Sequence, residues 1–305
     1  MKKTRFSKAL RKLVRFVRRN KKALAIRALV IAVPVLVVFC LVHFLRPAAK
    51  SSTEETSAEA VTVPAWESIT YVNPAAAYDS SKFVKNGSLM SYQDENYVSV
   101  QGIDVSSYTG DIDWAKVKAA GIRFAFVRLG YRGYTEGGIS LDSHFVQNMD
   151  ACKGQGIPVG VYFFSQAVSE DEAREEAAFC IQNLSGYDLA LPIIYDPEDA
   201  PDDTARTANL TGTQITANAL AFVKAIEDAD YTAGIYANRE WQKNVLDMTQ
   251  FQNTIVWFAG FTDTPQTAYH FEYWQYSHTG SVDGIASDVD VDMDIRMVPT
   301  GSLTN

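Results

Sequence analysis

From residue 98 onward, short apolar runs rich in β-branched and aromatic residues alternate with longer amphipathic segments almost to the end of the chain. Short apolar runs bounded by turn residues are typical of buried strands, and their alternation with helical patterns is typical of a parallel sheet. The predicted strands lie at residues 100–105, 124–129, 158–164, 191–195, 233–236, 255–258, 272–276 and 289–293. Eight strands in this rhythm predict a closed barrel.

Helical patterns occur in five of the intervening segments, at residues 113–120, 141–154, 169–183, 213–228 and 239–246. The third segment opens with Ser169 followed by Glu172, which is the spacing of a capping box. The last three strands follow one another through loops too short for full helices. The sequence therefore predicts an α/β fold, an irregular TIM-like barrel of five β/α units followed by three strands, (β/α)5(β)3.

The first 45 residues have a different pattern. They contain no Asp or Glu but hold 12 of the 28 basic residues, and an apolar stretch runs from residue 28 to residue 45. As a helix this stretch would be roughly 27 Å long, close to the hydrocarbon thickness of a bilayer. A basic flank before the span predicts that residues 1–27 form a cytoplasmic tail, residues 28–45 a single transmembrane helix, and the rest an extracellular part.

The basic and apolar N-terminal residues have two alternative interpretations. A cleaved signal peptide is disfavoured because the apolar stretch is long and no small-residue cleavage site follows it. A basic arm for nucleic acid is disfavoured because the basic residues abut an apolar span and can contact anionic lipid there, so no nucleic-acid partner is expected. The expected location is the cell membrane, with a cytoplasmic N-terminus and a single pass.

Residues 46–97 are predicted to be an extracellular linker and lead-in. Up to about residue 70 they are rich in Ser, Thr, Ala and Glu without apolar periodicity, which is typical of a solvated segment, and scattered aromatic residues follow. The catalytic barrel is assigned to residues 98–300. Two of the three cysteines, Cys152 and Cys180, lie on successive predicted helices, so either a disulfide or two buried thiols is compatible with the sequence.

Acidic residues occupy the ends of several predicted strands, where the reacting groups of β/α barrels stand. Asp104 ends the first strand, Asp196 and Glu198 follow the fourth, and Asp290 lies in the last. Residues i and i+2 of a strand point the same way, so Asp196 and Glu198 would both face the barrel mouth. Because like charges raise one another's pKa, one carboxyl is expected to stay protonated near neutral pH, as a general acid for glycoside hydrolysis must.

The structural alternative is that each acid only caps a helix or a turn, but four acids at neighbouring strand ends favour a catalytic site. Strand alternation does not separate Asp290 from Asp288, Asp292 and Asp294. Flat aromatic side chains that could stack on sugar rings also lie near strand ends. The candidates for substrate binding are Tyr162, Phe164, Tyr195, Tyr236 and Trp274.

No Ser/His/Asp or Cys/His arrangement, metal-type cysteine spacing, phosphate loop or dinucleotide motif is present in the sequence, so neither a metal nor a cofactor is expected. The sequence also identifies no partner protein in the cell envelope.

Several motifs together resemble those of glycoside hydrolase family 25, the Chalaropsis-type lysozymes, over residues 99–298. They are GIDVSSY at 102–108, GVYFF at 160–164, LPIIYDPE at 191–198, WQY at 274–276 and VD at 289–290. The resemblance implies an N-acetylmuramidase that cleaves the β-1,4 bonds of peptidoglycan glycan strands. It also implies that Glu198 is the general acid, that Asp196 orients or stabilises the substrate's N-acetyl group, and that Asp104 and Asp290 are supporting acids.

Membrane anchoring would direct such a hydrolase to cell-wall remodelling next to the membrane. Two other functions stay open from the sequence alone. One is a glycan-binding or scaffolding module with weak or no catalysis, and the other is a hydrolase of a different N-acetylated glycan.

Overall fold

A computed structural model describes residues 78–200 and 204–297. Eleven strands occur there: β1 (Phe83–Asn86), β2 (Leu89–Tyr92), β3 (Tyr97–Val105), β4 (Phe124–Arg132), β5 (Ile139–Leu141), β6 (Val159–Phe164), β7 (Ile193–Asp196), β8 (Ala233–Asn238), β9 (Ile255–Ala259), β10 (Tyr273–Gly280) and β11 (Val289–Met297). The α-helices in the same ranges are α1 (Trp114–Ala119), α2 (Phe145–Gln155), α3 (Glu170–Asn183), α4 (Gly212–Glu227) and α5 (Arg239–Asn244).

Eight strands close into a barrel in the order β3, β4, β6, β7, β8, β9, β10, β11, and β11 pairs with β3 to complete the ring. The five helices follow the first five barrel strands, and the last three strands have no helix between them. The predicted α/β barrel with five β/α units and three further strands is therefore confirmed.

The last barrel strand departs from the predicted parallel sheet. β11 runs antiparallel to both of its neighbours, β10 and β3. The reason is the short connection from β10, because a parallel partner would require a crossover across the barrel. A second departure is β5, which pairs with the end of β4 where the sequence predicted the start of a helix. The helix α2 consequently begins four residues later than predicted, at Phe145.

Side-chain alternation divides the apolar core into an interior and an outer layer. Phe124, Phe126 and Ile194 belong to the cluster inside the barrel, whereas the neighbouring Ala125 and Tyr195 belong to the layer between strands and helices. Gly102 makes room for this interior, since a Cβ there would lie 2.2 Å from the ring of Phe124. Packed aromatic rings thus fill much of the barrel interior below its mouth.

A hairpin formed by β1 and β2 covers the part of the barrel that has no helices. We call it the lead-in hairpin, because it lies in the segment for which the sequence predicted only linker and lead-in. Phe83 packs edge-on against Trp274 with ring centroids 5.5 Å apart, and the amide of Met90 donates to the hydroxyl of Tyr276 at 3.2 Å. Gly87 has a φ of 64° in the two-residue turn, a conformation that glycine adopts without steric cost.

Several other sequence predictions can be placed as well. Ser169 caps α3 by accepting a hydrogen bond from the amide of Glu172, as predicted, although the Glu172 carboxylate accepts from Val168 instead of closing the box. Cys152 and Cys180 are both buried free thiols. In residues 78–200 and 204–297, no helix combines the length and the apolar character needed to cross a bilayer. The predicted transmembrane helix at 28–45, the tail at 1–27 and the linker up to residue 77 lie outside the described residues.

Candidate active site

A cleft of about 580 Å³ opens at the C-terminal ends of the barrel strands. All four acids that the sequence singled out line it: Asp104, Asp196, Glu198 and Asp290. Its position is the one at which β/α barrels place their reacting groups.

Asp196 ends β7, and Glu198 follows the strand two residues later. Ile194 lies inside the barrel, so the alternation of the strand also directs Asp196 inward. Two hydrogen bonds hold the chain beyond the strand: the amide of Ser165 donates to the carbonyl of Asp196 at 2.7 Å, and Nε2 of Gln166 donates to the carbonyl of Glu198 at 3.0 Å. Both carboxyls are thereby fixed at the cleft although the strand itself ends at Asp196.

The protonation of these two acids is set by burial and by their proximity. Burial raises the pKa of Glu198 to about 7, and the charges of Asp290 and Asp199 act in the same direction. Burial also raises the pKa of Asp196 well above its ordinary value, and the charge of Glu198 adds to the effect. Two neighbouring carboxyls with raised pKa values can hold a proton near neutral pH, which a general acid requires.

Asp104 and Asp290 face each other across the antiparallel pair of β3 and β11. Asp292 lies one step deeper, opposite Gly102, where it is fully buried and accepts a 2.8 Å hydrogen bond from Nε1 of Trp257. Burial raises the pKa of Asp104 well above its ordinary value, and repulsion from Asp290 and Asp292 raises it further. Burial raises the pKa of Asp290 to about 6. Asp290 and Asp292, which strand alternation could not distinguish, thus differ in their depth in the barrel.

The remaining acids of β11 and its approach have different surroundings. Asp288 is exposed at the rim of the cleft, whereas Asp294 is buried further down the strand and does not line the cleft. Asp290 is therefore the acid of this group that stands at the level of Asp104, in agreement with the position chosen from the sequence.

A chain of hydrogen bonds joins the two sides of the cleft. The hydroxyl of Tyr236 donates to Oε1 of Gln275 at 2.7 Å, and Nε2 of Gln275 donates to Oδ2 of Asp104 at 2.7 Å. The same hydroxyl is within hydrogen-bonding reach of Glu198. A hydrogen bond from this hydroxyl lowers the pKa of Glu198 and opposes the effect of burial. Because a tyrosine has one hydroxyl proton, its hydrogen bond to Gln275 limits this stabilisation of the ionised Glu198 carboxylate.

A cation that sequence analysis missed also lines the cleft. Arg128 donates from Nε to Oδ2 of Asp142 at 2.8 Å, and its guanidinium lies 4.9 Å from the ring centre of Tyr108. Although burial raises the pKa of Asp142, hydrogen bonds from the amides of His144 and Ser107 and from Arg128 bring it below its ordinary value. The hydrogen bond to Asp142 thus holds the Arg128 guanidinium in the cleft that the four acids line. Arg128 and Asp142 are 14 residues apart in sequence and no local motif links them.

Aromatic side chains form the walls of the cleft. Of the predicted substrate-binding residues, Tyr162, Phe164 and Tyr236 line it, and Trp257 stands between them with its ring centre 4.9 Å from that of Tyr236. Tyr108 is 86% exposed at the rim and presents an open ring face. Such flat apolar faces with polar edges suit sugar rings.

For two predicted substrate-binding residues the structure gives a different position. Tyr195 points to the outer layer, where its ring lies 4.9 Å from that of Phe222 on α4. Trp274 also points outward and donates from Nε1 to the carbonyl of Gly260 at 2.9 Å. The prediction that they contact substrate is therefore wrong. Each is flanked by an inward residue, Asp196 and Gln275 respectively, and successive strand residues face opposite sides.

Comparison with known proteins agrees with this geometry. The family model described as glycosyl hydrolases family 25 matches residues 103–285. The chain is 30% identical over 203 residues to lysozyme M1 of Streptomyces globisporus, and the match covers 63% of this chain and 66% of that protein.

Two solved structures are similar to the barrel. A bacterial lysozyme from Streptomyces coelicolor is 28% identical, with a TM-score of 0.55 over 63% of this chain and 90% of that one. The modular autolysin LytC from Streptococcus pneumoniae, solved in complex with a synthetic peptidoglycan ligand, is 25% identical, with a TM-score of 0.58 over 64% of this chain and 46% of that one. The chain thus covers less than two thirds of both lysozyme M1 and LytC. The match to the family model spans more than half of the chain and includes the strands that carry Asp104, Asp196 and Glu198, so the chain belongs to glycosyl hydrolase family 25.

Proposed function

We propose that this protein is a muramidase, a glycoside hydrolase that cleaves the β-1,4 bonds between N-acetylmuramic acid and N-acetylglucosamine in peptidoglycan. The observation that carries the proposal is the pair formed by Glu198, with a pKa of about 7, and the adjacent buried Asp196 in an aromatic-walled cleft. Carboxyl pairs of this kind perform glycoside hydrolysis. Relatives described as lysozymes, and a similar structure that holds a peptidoglycan ligand, support the substrate class.

In the proposed mechanism Glu198 donates its proton to the glycosidic oxygen as the bond to the sugar breaks, and the leaving sugar departs with a hydroxyl group. A water molecule then adds its oxygen to the anomeric carbon and gives up a proton to a carboxylate of the site, which completes the hydrolysis. Asp196 has a buried oxygen, Oδ1, with no hydrogen-bond partner among the described residues. A buried acceptor of this kind is available to the N–H of an acetamide, so Asp196 would hold the N-acetyl group of the substrate and stabilise the positive charge that develops beside it. Asp290, with a pKa of about 6, would supply negative charge beside the reacting sugar, and Asp104 faces Asp290 across the strand pair.

The test compares the full-length protein with its Glu198→Gln variant on purified peptidoglycan. Glu227→Gln is the matched control, because Glu227 is exposed at the end of α4 and does not line the cleft. Released fragments are reduced and their new ends identified by mass spectrometry. Reduced N-acetylmuramic acid ends from the wild type and from Glu227→Gln, with none from Glu198→Gln, are the expected result.

Other outcomes would contradict the proposal in distinct ways. Reduced N-acetylglucosamine ends would indicate a different bond. Cleavage of chitin chains but not of peptidoglycan would indicate another N-acetylated glycan. Retained glycan binding without release of fragments from any variant would indicate a scaffolding module.

We also propose that residues 28–45 anchor the protein in the cell membrane, with residues 1–27 in the cytoplasm and the barrel outside. Support comes from the apolar stretch and from the 12 basic residues that precede it. The anchor would hold the hydrolase in the wall layer next to the membrane, where it would remodel the wall. In fractionated cells the full-length chain should sediment with membranes, whereas a variant without residues 1–45 should not. Recovery of the full-length chain mainly as a soluble secreted form would contradict the anchor.

A further inference from the structure

A second groove, of about 410 Å³, adjoins the cleft. One wall is the turn of the lead-in hairpin, including Lys85 and Ser88, and the other includes Thr279 at the end of β10. Phe261 and His278 line both the cleft and this second groove, so the two meet at these side chains. We call it the hairpin groove.

The junction between the two grooves presents an aromatic face. Phe261 is 50% exposed, and its ring is held edge-on against His278 with centroids 4.3 Å apart. An exposed phenyl ring at the exit of a sugar-binding cleft is a surface on which the next sugar can stack.

Beyond the junction, the hairpin groove offers mainly hydroxyl groups, including those of Ser88 and Thr279. Its lysine and its aspartate, Lys85 and Asp263, form an ion pair that ties the hairpin to the β9–β10 loop. Because these charges neutralise each other, the groove favours uncharged sugar hydroxyls over the ionised groups of a stem peptide.

We propose that the hairpin groove binds the continuation of the glycan strand and makes the enzyme selective for long strands. The proposal rests on the muramidase function proposed above and adds a binding site to it. Residues 83–90 precede the segment that matches the family model, so the groove wall is contributed by a part of this chain outside that match. A strand that leaves the cleft past Phe261 would reach the hairpin groove next, because Phe261 lines both.

The test uses the full-length protein and two serine-to-phenylalanine variants. Ser88→Phe fills the hairpin groove, and Ser91→Phe places the same side chain on an exposed position of β2 that does not line the groove. Both are compared with the wild type for kcat/KM on peptide-free glycan strands, long ones and short ones that fill only the cleft. Ser88→Phe should lower kcat/KM on long strands by about tenfold and leave short strands unchanged, while Ser91→Phe should change neither.

A second measurement does not depend on cleavage. In the Glu198→Gln background, affinity for peptide-free strands should rise with strand length past the cleft, and Ser88→Phe should abolish that rise. This result would support the groove even if no variant proved to be a muramidase. Equal rates of Ser88→Phe and wild type on long strands would overturn the proposal, and so would equal losses on long and short strands. A loss seen only on strands that retain stem peptides would assign the groove to the peptide instead.

Discussion

Replacement of Gln275 by leucine is expected to shift the basic limb of the pH profile of kcat/KM to lower pH. Gln275 is 5% exposed and takes the hydroxyl proton of Tyr236 on one side while donating to Asp104 on the other. Leucine fills a similar volume but accepts no hydrogen bond. The hydroxyl proton is then free to turn toward Glu198, where it stabilises the ionised carboxylate and lowers the pKa.

The size of the shift follows from the strength of one hydrogen bond to a charged group. Such a bond contributes about 1.5 to 3 kcal/mol, and about 1.4 kcal/mol corresponds to one pH unit. Glu198 begins from a pKa of about 7. The basic limb should therefore move down by about one to two pH units, because kcat/KM reports the ionisation of the free enzyme.

The assay measures reducing ends released from peptidoglycan between about pH 4 and pH 9. A double-mutant cycle provides the control: in a Tyr236→Phe background no hydroxyl can be redirected, so Gln275→Leu should leave the basic limb in place. A uniform loss of activity at every pH, with both limbs unmoved, would refute the reasoning and reduce Gln275 to a packing residue. A limb that moves equally with and without the Tyr236 hydroxyl would refute it too.

Three further predictions concern stability and the corrected residues. Burial raises the pKa of Glu198 from 4.5 to about 7, so the native state binds the extra proton and loses stability as pH rises through that window. At pH 8 the free energy of unfolding of Glu198→Gln should therefore exceed that of the wild type by about 3 kcal/mol, which is measured as a higher unfolding temperature, and at pH 4 this gain should be absent. Arg132→Met should lower the free energy of unfolding measured in urea by about 3 to 5 kcal/mol, because it leaves the fully buried Glu176 without its 2.7 Å ion pair. A second substitution, Glu176→Leu, should restore most of this loss, because it removes the unpaired buried carboxyl. Trp274→Phe should cost about 1 to 3 kcal/mol of stability through its lost packing on Phe83 and leave KM unchanged, whereas a rise in KM with unchanged stability would return Trp274 to the binding surface.

Much of the barrel could be predicted because its strands are apolar runs with local boundaries. The five helices and the three closing strands follow directly from that pattern. The direction of β11 could not be predicted from the pattern alone, since a buried strand has the same sequence whichever way it runs. β5 was missed because its three residues are half-buried or exposed and therefore carry no apolar signal.

The acids could be predicted because they stand at strand ends. The same strands also specify which way the neighbouring residues point. Alternation along a strand requires Tyr195 to face away from Asp196 and Trp274 away from Gln275, so both errors, and the inward position of Gln275, were derivable from the sequence. The ion pair of Arg128 and Asp142 could not be predicted from the sequence. The two residues meet because the chain reverses between β4 and β5, and no local motif specifies that reversal.

The lead-in hairpin lies in residues 71–97, where the sequence predicted a lead-in with scattered aromatic residues but no strands. Its first strand is exposed at three of four positions, so it resembles a solvated segment, although Gly87-Ser88 between two short runs is a turn signal of the kind hairpins use. The strands β9 to β11 lack the helices that cover the rest of the barrel, and without another layer the outward faces of Trp274 and Tyr276 would meet water. Phe83, Met90 and Tyr92 supply that layer from the lead-in side. The same hairpin also forms one wall of the groove beside the cleft. Its packing on β10 therefore both covers the core and, in the proposal above, extends the surface that binds the glycan strand.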